Sequence, residues 1–99
     1  MKIKHGVRIN GVSPEIAVAM QISDDVFKEL GYKGMTVTSI CDGKHMEGSK
    51  HYTGEAFDVR TRIFNDGQIS SIAAALRNAL GKEFDVVIEM SHIHVEIDV

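Results

Sequence analysis

Two separated groups of residues carry metal-ligand chemistry. The first reads Ser49-Lys50-His51-Tyr52-Thr53-Gly54-Glu55-Ala56-Phe57-Asp58, an imidazole and a carboxylate seven positions apart with a glycine between them. The second is His92-Ile93-His94, two imidazoles at alternate positions near the end of the chain. Zinc takes imidazole nitrogen and carboxylate oxygen, and a hydrolytic zinc site uses three protein ligands with water in the fourth position. His51, Asp58 and one of the C-terminal histidines make such a set. Each is an ordinary polar residue when taken singly; their combination in one small chain is what points to a metal.

A strand sends alternate side chains to opposite faces. Over residues 92–97, Ile93, Val95 and Ile97 share one face while His92, His94 and Glu96 share the other. The apolar face belongs on a core under helices, which leaves two imidazoles and a carboxylate outside with no structural task. Residues 55–61 read as a second strand, with Asp58 on the face of Ala56 and Arg60, and Phe57 and Val59 on the opposite one. Pairing these two strands brings Asp58 and His94 to one point, with space beside the small Ala56. Gly54 allows the tight turn that swings His51 back towards Asp58.

The remaining elements supply the scaffold. Residues 2–12 read as an extended lead-in. Ser13-Pro14-Glu15 is a helix start, with a hydroxyl cap, proline at the first helical position and an acid at the positive helix end. Ile16, Ala19, Met20, Phe27 and Leu30 recur at helical spacing until Gly31. Ser23-Asp24-Asp25 has the form of a second N-cap, so two short helices with a bend are expected here. Residues 35–40 read as a strand and 41–50 as a polar loop. Asn65-Asp66-Gly67 caps an amphipathic helix with Ile69, Ile72, Ala73, Leu76 and Leu80 on one face and Gly81 at its end. Residues 84–88 and 92–97 leave room only for a short turn, so an antiparallel hairpin is expected. The whole is a single α+β domain over 1–99, a mostly antiparallel sheet with helices on one face and the metal site on the other.

Ninety-nine residues, 43% hydrophobic and 25% charged, fit one soluble globular domain. A net charge of −3 and a pI near 5.9, without a basic stripe, give no reason to expect a nucleic-acid partner. Lys2, Lys4 and Arg8 read as a solvated edge, and His5 and His45 as surface or satisfied core residues. The lone Cys41 excludes an internal disulfide and reads as a small buried thiol. Lys2, Lys4, His5 and Arg8 interrupt any apolar run after Met1, so no signal peptide is expected, and no segment approaches the ~20 apolar residues of a membrane span. Synthesis in the cytosol is the expectation, and the oligomeric state is left open.

Ser49, His51, Gly54, Ala56 and Asp58 spell SxHxxGxAxD, and His92-Ile93-His94 spells HxH. This pattern resembles the zinc D-Ala-D-Ala carboxypeptidase and L-alanyl-D-glutamate endopeptidase family, whose fold is shared with the hedgehog signalling domain. Val37-Thr38-Ser39, Asp42-Gly43, His45 and His51-Tyr52 look most like the compact members carried by small bacteriophages. The similarity runs from about Ser13 to Val99. It implies zinc held by His51, Asp58 and His94, with His92 donating to the oxyanion. It also implies a carboxylate near the start of the HxH strand as general base. Many relatives carry that acid three residues before the last ligand, where this chain has Ser91, so Glu89 is the expected substitute. Larger members hold a substrate carboxylate with an arginine upstream of the first histidine. Here only Lys33, Lys44 and Lys50 lie between Gly31 and His51, and Arg60 is the expected replacement. Ser49 and Glu96 are candidates for orienting the ligands. The reaction implied is hydrolysis of an amide bond in a bacterial peptidoglycan peptide containing D-amino acids, by a protein released by a partner or carried in a virion. Hedgehog domains keep their zinc and act as receptor ligands, so a zinc-stabilised binding or structural module without turnover is the competing expectation.

Overall fold

The computed structural model describes residues 1–9, 11–40 and 55–97. The expectations for Cys41, His45, Ser49, His51 and the 41–50 loop lie outside these residues. The elements run β1 (Lys2–Ile3), α1 (Pro14–Glu29), β2 (Thr36–Ser39), β3 (Ala56–Arg60), α2 (Asp66–Leu80), β4 (Phe84–Ile88) and β5 (His92–Ile97). They form an α+β unit with one five-stranded sheet ordered β1-β2-β3-β5-β4. The sheet is mixed: β1 runs parallel to β2, and the other three pairings are antiparallel. Of the extended lead-in expected over 2–12, Lys2–Ile3 alone pairs as strand among the described residues.

Ser13 caps α1 as its type requires, its Oγ accepting from the Ile16 N–H at 3.2 Å. The bend expected at Ser23-Asp24-Asp25 does not occur; α1 is one helix of 16 residues. The reason is local. The Ser23 hydroxyl donates to the Ala19 carbonyl one turn back at 2.7 Å rather than accepting from a following N–H. The Asp24 carboxylate is engaged elsewhere, accepting from the Met35 N–H at 3.0 Å and pairing with Lys28 at 3.1 Å. At α2, Asn65 and Gln68 form a reciprocal capping box at 2.8 and 2.9 Å.

The core lies between the two helices and one sheet face. Val37, Phe57, Val59, Val86, Ile93 and Val95 project from the strands onto Ile16, Ala19, Met20 and Phe27 of α1 and Ile72, Ala73 and Leu76 of α2, all buried. Each such side chain contributes roughly 1.5–3 kcal/mol of hydrophobic burial. This packing fixes strand parity, and with it what the opposite face must carry. Asp58, His94 and their neighbours are turned to that face because Phe57, Val59, Ile93 and Val95 are turned inward. Among the described residues, no helix is long and apolar enough to cross a membrane.

Candidate metal centre

The register of β3 and β5 sets Ala56 opposite Glu96, Asp58 opposite His94 and Arg60 opposite His92. Asp58 and His94, expected from parity to converge, are direct cross-strand partners. The Asp58 Oδ1 lies 2.8 Å from His94 Nδ1, and Glu96 Oε1 lies 2.7 Å from His94 Nε2. A carboxylate only accepts, so a ring held between two carboxylates carries a proton on each nitrogen. The hydrogen bond from Asp58 raises the His94 pKa, burial opposes it and Glu96 adds to the rise; the outcome is a value of about 9.

The β4–β5 hairpin brings the next acid in. Glu89 donates its N–H to the His92 carbonyl at 2.8 Å, so a two-residue turn, Met90-Ser91, sets Glu89 opposite His92. The His92 Nε2 then lies 2.9 Å from Glu89 Oε1 and 3.5 Å from Asp58 Oδ2. Its Nδ1 meets the Ser91 hydroxyl at 3.1 Å. The side chains thus form a continuous row, Glu89–His92–Asp58–His94–Glu96, across two strands and a turn. Asp58 is only 8% exposed, so this carboxylate is largely shielded while the Glu89 end is open to solvent.

Within this row Asp58, Glu89 and His94 each offer a ligand atom, all within 4.8 Å of one another. One imidazole and two carboxylates suit zinc and other divalent transition ions. The 2.8 Å contact between Asp58 and His94 is a hydrogen bond, shorter than the ~3.3 Å between two zinc ligands at tetrahedral angles. A metal held here therefore replaces the proton the two residues share. Nδ1 is the His94 nitrogen on the Asp58 side, and Glu96 remains on Nε2 as the group that fixes the ring.

Five of the sequence-predicted residues meet in this row: Glu89, His92, Asp58, His94 and Glu96. Arg60 stands on the same face beside His92 without joining the row. Ser49 and His51 fall outside the described residues. Sequence reasoning gave Glu89 the part of a base alone, whereas its carboxylate is close enough to Asp58 and His94 to be a ligand itself. The tight turn could have shown this, since a two-residue turn necessarily pairs residue 89 with 92. Glu96, read from the sequence as a candidate for orienting the ligands, lies on His94 Nε2 at 2.7 Å. No family model matches the chain and no curated protein sequence matches it.

Proposed function

We propose that this protein is a zinc-dependent peptidase that hydrolyses an amide bond in peptidoglycan stem peptides, of the D,D-carboxypeptidase or L-Ala-D-Glu endopeptidase type. The observation that carries the reading is the convergence of Asp58, His94, His92 and Glu89 on the face of the sheet that the core does not use. Asp58 and His94, with His51 from the segment before β3, would hold the metal. Bound zinc supplies a nucleophilic water at neutral pH and polarises the scissile carbonyl. Glu89 sits at the open end of the row, where a carboxylate can take a proton from that water and return it to the leaving amine. His92 stands beside Glu89 and Asp58 and would donate an N–H to developing negative charge. Arg60, one row along, offers a cation to a substrate carboxylate. Phage origin, delivery with a virion and action at the cell wall belong to the same reading.

A second reading is favoured by one specific observation. Glu89 is grouped with Asp58 and His94 as a potential ligand. If it binds the metal together with His51, the site has four protein ligands, no place for water, and a structural role in a binding module. Incubating the zinc-loaded protein with purified peptidoglycan and identifying new amine and carboxyl ends by mass spectrometry decides between them. New ends that vanish in Glu89→Gln, with zinc retained, support the peptidase. Intact wall peptides, with zinc lost in Glu89→Gln, support the closed site.

A further inference from the structure

The register that pairs Asp58 with His94 continues one strand further. Val87 of β4 stands opposite His94, so Asp58, His94 and Val87 form a line across three strands at ~4.8 Å per step. Val86 is 5% exposed and faces the core; Val87, the next residue, therefore faces the metal side and is 47% exposed. Around His94 the other directions are polar: Asp58 on one flank, Glu96 along the strand, Glu89 and His92 towards the hairpin turn. Among the described residues Val87 is the apolar neighbour in register on the remaining flank. Single exposed valines are common and need no explanation by themselves. This one is distinguished by its register, since it adjoins a candidate ligand on the same sheet face.

We propose that Val87 is the specificity wall of the centre, selecting a ligand whose side chain next to the metal-bound group is aliphatic. This rests on the peptidase reading of the same site. A group held at Asp58 and His94 has its substituents either over the carboxylates or against Val87. An aliphatic substituent gains by covering the valine methyls, which are otherwise half in water. An acidic substituent meets Asp58, Glu89 and Glu96 and is rejected by like charge. The wall therefore discriminates against acidic residues on that side of the scissile bond and favours the aliphatic ones.

Amino-acid hydroxamates, which chelate zinc through two oxygens, test this without turnover. Glycine, leucine and aspartate hydroxamates are titrated into the zinc-loaded protein by calorimetry, with zinc content measured alongside. Leucine hydroxamate should bind about tenfold more tightly than glycine hydroxamate, the scale of a few partly buried methylenes, and aspartate hydroxamate the most weakly. Val87→Thr keeps shape and strand preference but replaces a methyl by a hydroxyl, and should remove most of the leucine advantage. Ile3→Thr, at a comparably exposed position of the opposite sheet edge (42%), should preserve it. Equal binding of leucine and glycine by the wild type, or an advantage undiminished in Val87→Thr, overturns the wall and leaves the peptidase reading standing. A protein that keeps its zinc but binds none of the three overturns the open site and the wall together. Failure to take up zinc removes the metal centre itself.

Discussion

His94 in the metal-free protein is clamped between Asp58 and Glu96, and its two protonated nitrogens are what make that clamp attractive. The linkage has a definite sign. The folded pKa of about 9 lies above the ordinary 6.5, so the clamp's contribution to stability is complete below pH 6.5 and is lost as pH rises through 9. Thermal melts of chelator-treated protein from pH 6 to 10 should show this decline, and His94→Gln should flatten it; an identical decline in the variant removes His94 as its source. Metal binding has the opposite dependence, because zinc must displace a proton from Nδ1. Zinc affinity should rise about tenfold per pH unit up to about pH 9. His92 behaves differently, having been assigned to the oxyanion and not to the metal. His92→Ala should retain zinc while turnover falls about 10²–10³-fold. Collapse of zinc affinity in that variant would make His92 a ligand and close the site.

Elements hold these residues through contacts that the sequence showed unevenly. Alternation in residues 92–97 and 55–61 was enough to place Asp58 and His94 on one face, since a slip of one residue would have put Ile93 and Val95 in solvent. The hairpin was legible from the short gap between residues 88 and 92, and the start of α2 from Asn65, although the reciprocal bond from Gln68 was not read. What could not be read was α1 through Ser23 and Asp24, because local hydroxyl and carboxylate chemistry is ambiguous until its partners are known. Those partners are distant: the Met35 N–H at 3.0 Å, and the amine of Met1 at 3.2 Å from the same carboxylate that Lys28 reaches. Burial of Asp24 pushes its pKa up, but the Met35 N–H, Lys28 and the Met1 amine outweigh this and hold it below the usual 3.8. Its contribution is therefore present above about pH 4 and lost as pH falls further. Asp24→Ala leaves the Met35 N–H without its acceptor and should cost about 2–4 kcal/mol, measured by denaturant titration at pH 7. Gly34→Ala should shift stability the same way. Gly34 has φ +140°, and an added Cβ would stand 2.8 Å from Asp24 Oδ1. Unchanged midpoints in both variants would show that α1 does not depend on this anchor.

At the scale of the whole molecule, one face of the sheet carries the apolar core and the other a concentration of acids interleaved with His92, His94 and Arg60. Asp58, Glu89 and Glu96 share that outer surface with Asp85, which stands opposite Glu96. The candidate ligands belong to β3, to β5 and to the turn that joins β4 to β5, and His51 would add the segment before β3. A metal bridging them binds only the folded chain, so it stabilises by mass action: about 2.7 kcal/mol at a free concentration 100-fold above Kd. For a domain of this size that corresponds to a rise in Tm of about 10–20 °C. Zinc-loaded and chelator-stripped protein should differ by that amount in calorimetric melts, provided metal analysis verifies the stripping. Ile16→Ala in α1, on the opposite face, should lower both forms by about 2–5 kcal/mol without changing the gap between them. The gap should itself depend on pH. Below pH 6.5 zinc must break a clamp that is fully formed, whereas near pH 9 the clamp has already lost half its protons, so the zinc-induced rise in Tm should be larger at pH 9 than at pH 6. A gap that is constant across that range would mean that the metal does not compete with the proton on His94, and His94 would then not be a ligand.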